Sequence, residues 1–353
     1  MSWYPASAPE QVEFFKKIPK VDLHRHLEGS LRVETMLEVI QQHNLSLPDR
    51  QELPSLVQIQ PADALNSSTF LSKFQTLRLF YRSPEIIRRI TREAIADAAA
   101  DNVRYLELRF SPVALSRAEG YPLADVMDWV CESAQQASQD YGVKIRLVAS
   151  INRHEPVALG EQIAGLAAGR MAQGIAGLDL TGNEAQFPAT PFLPVFAQAQ
   201  SRGLAITIHA GEWGGPENVR QAIEEFKADR IGHGLRVLED EGVVALAAAR
   251  GIPFEVCITS NYQSGVTPTL NDHGLQRMLA AGLNITLNTD DPSVSQITLG
   301  NEYRLACSRL GLSFAVLVKR ILAAAQAAFL PAAERQQLVE QLNEQLGVLY
   351  NKL

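Results

Sequence analysis

The stretch Val21-Asp22-Leu23-His24-Arg25-His26-Leu27-Glu28-Gly29-Ser30 places two histidines, two residues apart, at the end of a short apolar segment. Side chains alternate between the two faces of a β-strand, so a strand over Val21 to His26 directs His24 and His26 to the same side. Two imidazoles on one face at a strand end make half of a metal site. A lone pair of this kind also occurs by chance on surface strands, so its weight depends on the rest of the chain.

The composition is that of a globular protein with enough length for a large core. The chain has 353 residues, is 46% hydrophobic and 20% charged, and carries a net charge of −7. Lysine and arginine form no cluster of the kind that binds polyanions, so we expect a small-molecule substrate and no nucleic acid. Three scattered cysteines, Cys131, Cys257 and Cys307, are too few for a disulfide framework.

Two segments bear on localisation. Met1 to Phe15 lacks the basic start and apolar run of a signal peptide. The apolar stretch Val316 to Ala333 is interrupted by Lys319, Arg320 and Gln326, so it is not expected to span a membrane. We therefore predict a cytoplasmic protein without a membrane partner.

Strand-like and helix-like segments alternate along the chain. The predicted strands are Val21 to His26, Val103 to Phe110, Lys144 to Ile151, Gly177 to Leu180, Leu204 to Ile208, Arg230 to Gly232, Pro253 to Val256 and Asn284 to Leu287. Several helical segments end at a glycine just before the next strand, as at Gly142 and Gly251, which suits a helix C-cap. Eight such repeats predict the α/β class and a (β/α)8 barrel of the TIM type.

The predicted organisation is a single hydrolase barrel domain over residues 1–353. Residues from about 27 to 102 are longer than a minimal crossover, so we expect them to add helices, and a lid, between strands 1 and 2. Polar residues interrupt that helical pattern over 46–60. Residues from about 300 to 353 look helical and are expected to close the barrel and pack outside it.

Polar residues follow five of the eight strands at the end where barrel enzymes carry their active sites. Three neutral imidazoles and one carboxylate suit zinc and leave a position for water. Zinc lowers the pKa of bound water towards neutrality and so generates hydroxide. The natural ligand set is His24, His26, His209 and Asp290.

Three further residues are candidates for the chemistry. Glu212 lies three residues beyond His209 and could reach a substrate as a proton donor. His233 could hold the metal-bound water, and Asp291, beside a ligand, should point to the substrate.

Six motifs, in order, carry a family resemblance: VDLHRHLEGS, VRYLELRFSP, GLDLTGNE, ITIHAGE, RIGHG and NTDDPS. Together they resemble the adenosine deaminase family of zinc aminohydrolases, over nearly the whole chain from about Lys17 to the helices after Asn301. The resemblance implies one Zn2+ per chain and deamination of a purine nucleoside in purine metabolism. Adenosine or 2′-deoxyadenosine would give inosine or 2′-deoxyinosine and ammonia, through attack of metal-bound hydroxide on C6.

The resemblance also implies roles for single residues. His24, His26, His209 and Asp290 look like the zinc ligands. Glu212 looks like the acid that protonates N1 of the purine, and His233 looks like the residue that orients the attacking hydroxide and assists its deprotonation.

Other positions resemble the substrate contacts of the family. Asp291 looks like the group that bonds N7 and positions the water, and Gly182 looks like the residue whose backbone N–H bonds N3. Phe70 and Phe74 belong to a segment similar to the apolar helix that covers the pocket. Glu28 stands where nucleoside-specific members have an aspartate that bonds the ribose 5′-hydroxyl.

The Glu28 substitution leaves the substrate open. Relatives that deaminate free adenine share a glutamate at this position, and its extra methylene could crowd a ribose. Against this, Gly232 stands where the adenine-specific branch tends to carry an aspartate, and NTDDPSVS looks more like the nucleoside branch. The alternative substrates are adenine, an N6-substituted AMP or another adenosine-containing small molecule. A 5′-phosphate is disfavoured because no basic cluster stands at the strand ends.

Two other protein classes fit less well. A two-metal amidohydrolase of the same barrel type needs a bridging lysine at strand 4, and Gly177 to Leu180 has none. A non-catalytic binding protein would be expected to lose the acid or a ligand, and this chain keeps both. The sequence does not predict the oligomeric state.

Overall fold

A computed structural model describes residues 8–350. Within them, eight parallel strands follow one another around a barrel in chain order, as predicted. The strands are β1 (Lys20–His26), β2 (Val103–Phe110), β3 (Lys144–Asn152), β4 (Ile175–Thr181), β5 (Ala205–His209), β6 (Arg230–Gly232), β7 (Pro253–Val256) and β8 (Asn284–Leu287). Residues 1–7 and 351–353 lie outside the described residues. The first of these ranges begins the segment compared with a signal peptide, and the second ends the predicted C-terminal helical region.

Helices connect and surround the strands. They are α1 (Ala8–Lys17), α2 (Val33–His43), α3 (Leu53–Val57), α4 (Ser67–Leu77), α5 (Pro84–Ala100), α6 (Pro112–Ser116), α7 (Leu123–Tyr141), α8 (Val157–Ala168), α9 (Leu193–Ser201), α10 (Pro216–Glu224), α11 (Glu241–Arg250), α12 (Ile258–Gln263), α13 (Leu275–Ala280), α14 (Pro292–Ser295), α15 (Leu299–Ser308), α16 (Phe314–Gln326) and α17 (Ala332–Tyr350). Short 3-10 helices span Arg78–Phe80, Met171–Gln173, Thr190–Phe192, Leu235–Glu239 and Leu270–Asp272. From residue 8 to residue 350, no helix has the length and apolarity needed to cross a membrane.

The region between β1 and β2 is mostly helical, as expected, but its predicted polar interruption is only partly correct. The short helix α3 forms inside it, because Leu53 and Val57 are fully buried in the core. A proline near its first turn fits the helix start. Whether this region moves as a lid, and whether the chain forms one domain, stay predictions.

The barrel closes through the residues that follow β8, at the predicted metal ligands. Leu23 N donates to Asn288 Oδ1 at 2.9 Å. His26 N donates to the carbonyl of Asp290 at 2.8 Å, and Asp290 N donates to the carbonyl of His24 at 2.7 Å. The backbone contacts that complete the barrel therefore also bring ligands from opposite ends of the chain together.

The barrel interior carries charged side chains where many barrels are filled by aliphatic ones. Arg109 pairs with Asp179 at 2.8 Å and with Glu255. Arg230 pairs with Glu255 at 2.5 Å and also with Glu107. All five side chains are buried, so a continuous ionic network fills the axis beneath the carboxyl ends of the strands.

Candidate active site

The carboxyl ends of the strands open into a cavity of about 310 Å³. The predicted site residues that line it are His26, Glu28, Phe70, Phe74, Gly182, His209, Glu212, His233, Asp290 and Asp291. His24 lies directly beneath and is fully buried. A larger cavity, of about 870 Å³, lies at the opposite end of the barrel, around the start of β4 and residues 326–331. Because barrel enzymes place their chemistry at the carboxyl ends of the strands, the smaller cavity is the candidate active site.

The four predicted metal ligands converge at the base of this cavity. His24 Nε2 lies 3.2 Å from His26 Nε2 and 3.2 Å from Asp290 Oδ1. His26 Nε2 lies 3.4 Å from the same carboxylate oxygen. His209 joins them, because its ligand atom lies within 4.8 Å of those of His24 and Asp290. The alternation of β1 therefore directs both of its histidines to one point, as predicted.

Two buried carboxylates contact the imidazoles of His24 and His209 on the side away from the metal position. His24 Nδ1 lies 3.0 Å from Glu255 Oε2, and His209 Nδ1 lies 2.9 Å from Asp179 Oδ1. A carboxylate at Nδ1 fixes the ring so that Nε2 is free to bind a metal, and this support is typical of metal-ligating histidines. Neither Asp179 nor Glu255 can be assigned from the sequence, because neither strand position shows locally which histidine it will face.

The electrostatics of the ligand set favour a cation. Burial lowers the pKa of His26 to about 3 and also lowers the pKa of His209, so both rings are neutral at pH 7, as metal ligands must be. Burial alone would lower the pKa of His24, but Asp290 and Glu255 outweigh it and raise that pKa. Three ring nitrogens and one carboxylate, aimed at one point that attracts positive charge, fit a divalent metal and in particular zinc.

Two residues of the site adopt backbone conformations that are uncommon for residues with side chains. Asp290 and His233 have φ values of 64° and 58°. Such conformations persist only where the surroundings enforce them, and they concentrate at functional sites. Gly232, before His233, leaves room for the rings, since a Cβ there would lie 3.2 Å from His24 Cε1 and 3.3 Å from His209, closer than most Cβ contacts. The RIGHG motif thus lets the rings approach closely.

Glu212 and His233 face each other beside the ligands. His233 Nε2 lies 3.7 Å from Glu212 Oε2 and 3.8 Å from Asp290 Oδ2. Burial, together with the charges of Asp290 and Glu184, raises the pKa of Glu212 well above its usual value. Burial lowers the pKa of His233 well below its usual value, and Asn261 Nδ2 donates to His233 Nδ1 at 3.1 Å. Burial thus favours the protonated form of the Glu212 carboxyl group and the neutral form of the His233 imidazole beside the metal position.

Asp291 turns away from the ligands and into the cavity. Burial and the nearby charges of Asp290, Glu28 and Glu212 raise its pKa well above its usual value. Its Oδ1 is buried and has no hydrogen-bond partner among the described residues. A Cβ at Gly29 would lie 1.9 Å from that oxygen, so the glycine of the first motif makes room for Asp291.

The remaining predicted contacts lie on the cavity wall. Glu28 accepts a hydrogen bond from Ser111 N at 2.5 Å, and burial raises its pKa to about 7. Gly182 has a φ of 97°, a backbone conformation that favours glycine. Its backbone also lines the cavity. Phe70 and Phe74 of α4 have ring centroids 6.2 Å apart and cover the cavity.

Several cavity residues were missed because they lie outside the motifs at the strand ends. Arg78, in the 3-10 helix after α4, brings a guanidinium into the lining. Trp213 directly follows Glu212, and this adjacency was the only available signal for it. Other lining residues not identified from the sequence include Gln75, Gln186 and Phe187.

A parallel eight-stranded barrel with this donor set at its carboxyl end defines a metal-dependent hydrolase. The sequence model of the family described as Adenosine deaminase matches residues 19–345. Adenosine deaminase of Serratia proteamaculans is 37% identical over 326 residues, which cover 91% of this chain and 97% of that protein. Adenosine deaminase of Salmonella typhimurium is 36% identical over 331 residues, covering 93% and 98%. The chain belongs to the adenosine deaminase family.

Solved structures agree with this assignment. An amidohydrolase from Burkholderia ambifaria with bound Zn superposes with a TM-score of 0.88 at 26% identity, covering 99% of this chain and 97% of that one. Adenine deaminase from Arthrobacter aurescens gives a TM-score of 0.86 at 26% identity, covering 94% and 99%. The N6-mAMP deaminase of Arabidopsis gives 0.84 at 29% identity, covering 94% and 99%.

Proposed function

We propose that this protein is a zinc-dependent adenosine deaminase, which hydrolyses adenosine and 2′-deoxyadenosine to inosine and 2′-deoxyinosine with release of ammonia. The main support for the proposal is a cavity at whose base His24, His26, His209 and Asp290 converge, with the buried carboxyl group of Glu212 beside them. The relatives named adenosine deaminase, at 36–37% identity over most of the chain, support the same reaction. A cytoplasmic location stays a prediction of the sequence.

We assign one zinc ion per chain to His24, His26, His209 and Asp290. The fit rests on their shared focus and on the two carboxylates that fix the rings of His24 and His209. When bound, zinc supplies a Lewis acid that lowers the pKa of a water molecule towards neutrality.

The acid groups of the cavity are suited to activate the purine. Glu212, whose pKa is raised by burial, is suited to donate a proton to N1 and so make C6 more electrophilic. Asp291, whose pKa is also raised by burial, is suited to donate a hydrogen bond to N7, which is an acceptor. The backbone N–H of Gly182 donates to N3. Hydrogen-bond donors thus face N1, N3 and N7 of the purine, and this arrangement selects an adenine ring.

His233 lies where the attacking water must be oriented. Its Nδ1 lies 3.1 Å from Asn261 Nδ2, and its Nε2 faces Asp290 and Glu212. This orientation holds the water against C6. The water oxygen bonds to C6 and the C6–N6 bond breaks; one water proton leaves with the amino group as ammonia and the other returns to Glu212, so adenosine and water give inosine and ammonia.

A second candidate keeps the chemistry and changes the substrate to adenine or an N6-substituted AMP. Two features of the cavity wall favour it, namely the longer carboxylate of Glu28 and the guanidinium of Arg78. The solved relatives include an adenine deaminase and an ADAL protein in complex with IMP. Arg78 weakens the argument from sequence that no basic group is available for a 5′-phosphate.

A substrate panel decides between the two. The purified, zinc-loaded protein would be assayed for ammonia release from adenosine, 2′-deoxyadenosine, adenine and N6-methyl-AMP. We expect the two nucleosides to have the highest kcat/KM. A higher kcat/KM for adenine or N6-methyl-AMP would replace the proposed substrate, and no release from any of the four would reject the deaminase proposal.

A further inference from the structure

Glu184 follows β4 in the TGNE motif, and the proposed chemistry gives it no role. Its carboxylate is buried and accepts from three consecutive backbone N–H groups. These are Gly211 N at 3.0 Å, Glu212 N at 2.5 Å and Trp213 N at 2.7 Å. A fourth donor, Asn218 Nδ2, lies at 2.9 Å. One carboxylate from the β4 loop thus holds the backbone of the β5 loop at the residue that bears the catalytic acid.

The β5 loop is shaped to make these contacts. Gly211 has a φ of 71°, and a left-handed residue in a turn lets successive N–H groups point into one anion-binding concavity. A Cβ at Gly211 would lie 2.5 Å from Val219 Cγ2, so only glycine fits. A Cβ at Gly214 would lie 2.9 Å from Glu184 Oε2. The loop therefore packs tightly around the Glu184 carboxylate and leaves no space for a side chain at Gly211 or Gly214.

The opposite side of the same loop is held by a cation. Arg236 donates its backbone N–H to the carbonyl of Gly211 at 2.9 Å and its Nη1 to the carbonyl of Trp213 at 2.7 Å. The N–H groups on one side thus bind a carboxylate, and on the other side the carbonyl of Trp213 binds a guanidinium. Charge-assisted hydrogen bonds of this kind are roughly twice as strong as neutral ones.

We propose that Glu184 is a positioning residue for Glu212, which fixes the backbone of the catalytic acid so that its carboxyl group meets the purine ring in one orientation. This inference rests on the proposed function, because it takes Glu212 as the proton donor. Glu184 reaches no substrate itself and acts only through the loop. Placement of the acid matters because a displacement of about 1 Å costs on the order of 100-fold in rate.

The test is Glu184→Gln in the zinc-loaded protein. A glutamine offers one acceptor oxygen where the carboxylate offers two, and its NH2 group faces backbone donors. We expect kcat to fall about 10- to 100-fold with KM and zinc content little changed. Amide hydrogen exchange should accelerate at residues 211–213, in the absence of substrate as well as in its presence. The matched control is Glu224→Gln, an exposed carboxylate at the far end of α10 that should leave kcat and exchange unchanged.

The outcomes separate this inference from the proposed function. Wild-type kcat and wild-type exchange in Glu184→Gln, with Glu212→Gln inactive, would overturn the positioning role alone. An active Glu212→Gln would reject the acid assignment on which it rests. If Glu184→Gln does not fold, Glu184→Asp decides, because the shorter carboxylate keeps the charge but cannot reach all three N–H groups. An unchanged kcat in that variant would also overturn the proposal.

Discussion

Glu212 is the residue through which the cavity acts most directly on the substrate. Its burial raises the pKa of the carboxyl group and so favours the protonated form, which is the form that can donate to N1. We predict that Glu212→Gln lowers kcat by at least about 100-fold, because the amide keeps the shape but cannot transfer a proton. Ammonia release and zinc content, measured on the same preparation, check this.

The zinc content of Glu212→Gln should equal that of the wild type, because Glu212 is not among the ligands. Glu224→Gln, an exposed change on α10, is the control and should keep full activity. Substantial turnover by Glu212→Gln would mean that the proton comes from another group.

Gly29 is a second residue where the addition of one carbon atom should change the activity. A Cβ at this position would lie 1.9 Å from Asp291 Oδ1, so Gly29→Ala must displace the Asp291 side chain or the β1 loop. We expect kcat/KM for adenosine to fall by about 10- to 100-fold, since Asp291 would leave its place near the substrate. Steady-state kinetics check this.

The control for Gly29→Ala is Gly347→Ala, on the exposed face of α17. A Cβ there meets no atom within 4 Å, and alanine is the better helix former. That variant should keep full activity. Equal kinetics for the two variants would show that Asp291 tolerates displacement and plays no part in the reaction.

Among the secondary-structure elements, all eight strands could be predicted from the local pattern of the sequence. Parallel strands buried on both faces often appear as short, mainly apolar runs bounded by glycine or proline, and β5, between Gly203 and Gly211, has this form. The bounds of β4 were less certain, because Ile175 and Ala176 follow a glycine and look like part of a turn. The helix α3 was missed because it depends on burial of two side chains, which a polar stretch does not reveal.

The contact between α12 and α15 contains a buried carboxylate outside the catalytic cavity. Glu302 of α15 accepts from Thr259 N at 3.1 Å and also from Thr259 Oγ1. Burial raises the pKa of Glu302 to about 7. The unfolded chain ionises this group near pH 4.5 and the folded chain only near pH 7. The tendency of Glu302 to ionise therefore does not lower the free energy of unfolding below about pH 4.5. It lowers that free energy by the full amount above about pH 7.

We predict that Glu302→Gln gains stability relative to the wild type as pH rises from 5 to 8. The gain should be on the order of 3 kcal/mol at most, because one pKa unit corresponds to about 1.4 kcal/mol. Urea unfolding of both proteins at both pH values measures it, and metal release cancels in the double difference. Glu161→Gln, an exposed change on α8, should show no such gain. A pH-independent difference for Glu302→Gln would contradict the buried-acid explanation.

At the scale of the whole molecule, the ionic network joins the metal site to the far end of the barrel. Glu255 contacts His24 above and Arg230 below. Arg230 continues to Glu107 and donates Nη1 to the carbonyl of Ala327 at 2.7 Å. The sequence did not reveal this network, because its members come from four strands, and no single strand shows which partners its charged residues will meet. The metal ligands could be found from sequence because each of them stands in a distinctive motif at a strand end.

Removal of one member should therefore destabilise the barrel as a whole. Arg230→Met leaves the carboxylates of Glu107 and Glu255 buried and without their cation, so we predict a loss of about 3–5 kcal/mol in the free energy of unfolding. Arg50→Met is the control, because Arg50 pairs with Glu34 at the exposed surface and its loss should cost about 0–1 kcal/mol. Adding Glu107→Gln to Arg230→Met should recover part of the loss, since one unpaired charge disappears. Urea unfolding measures all three, and a cost for Arg230→Met no larger than that of the control would mean that the network contributes little beyond packing.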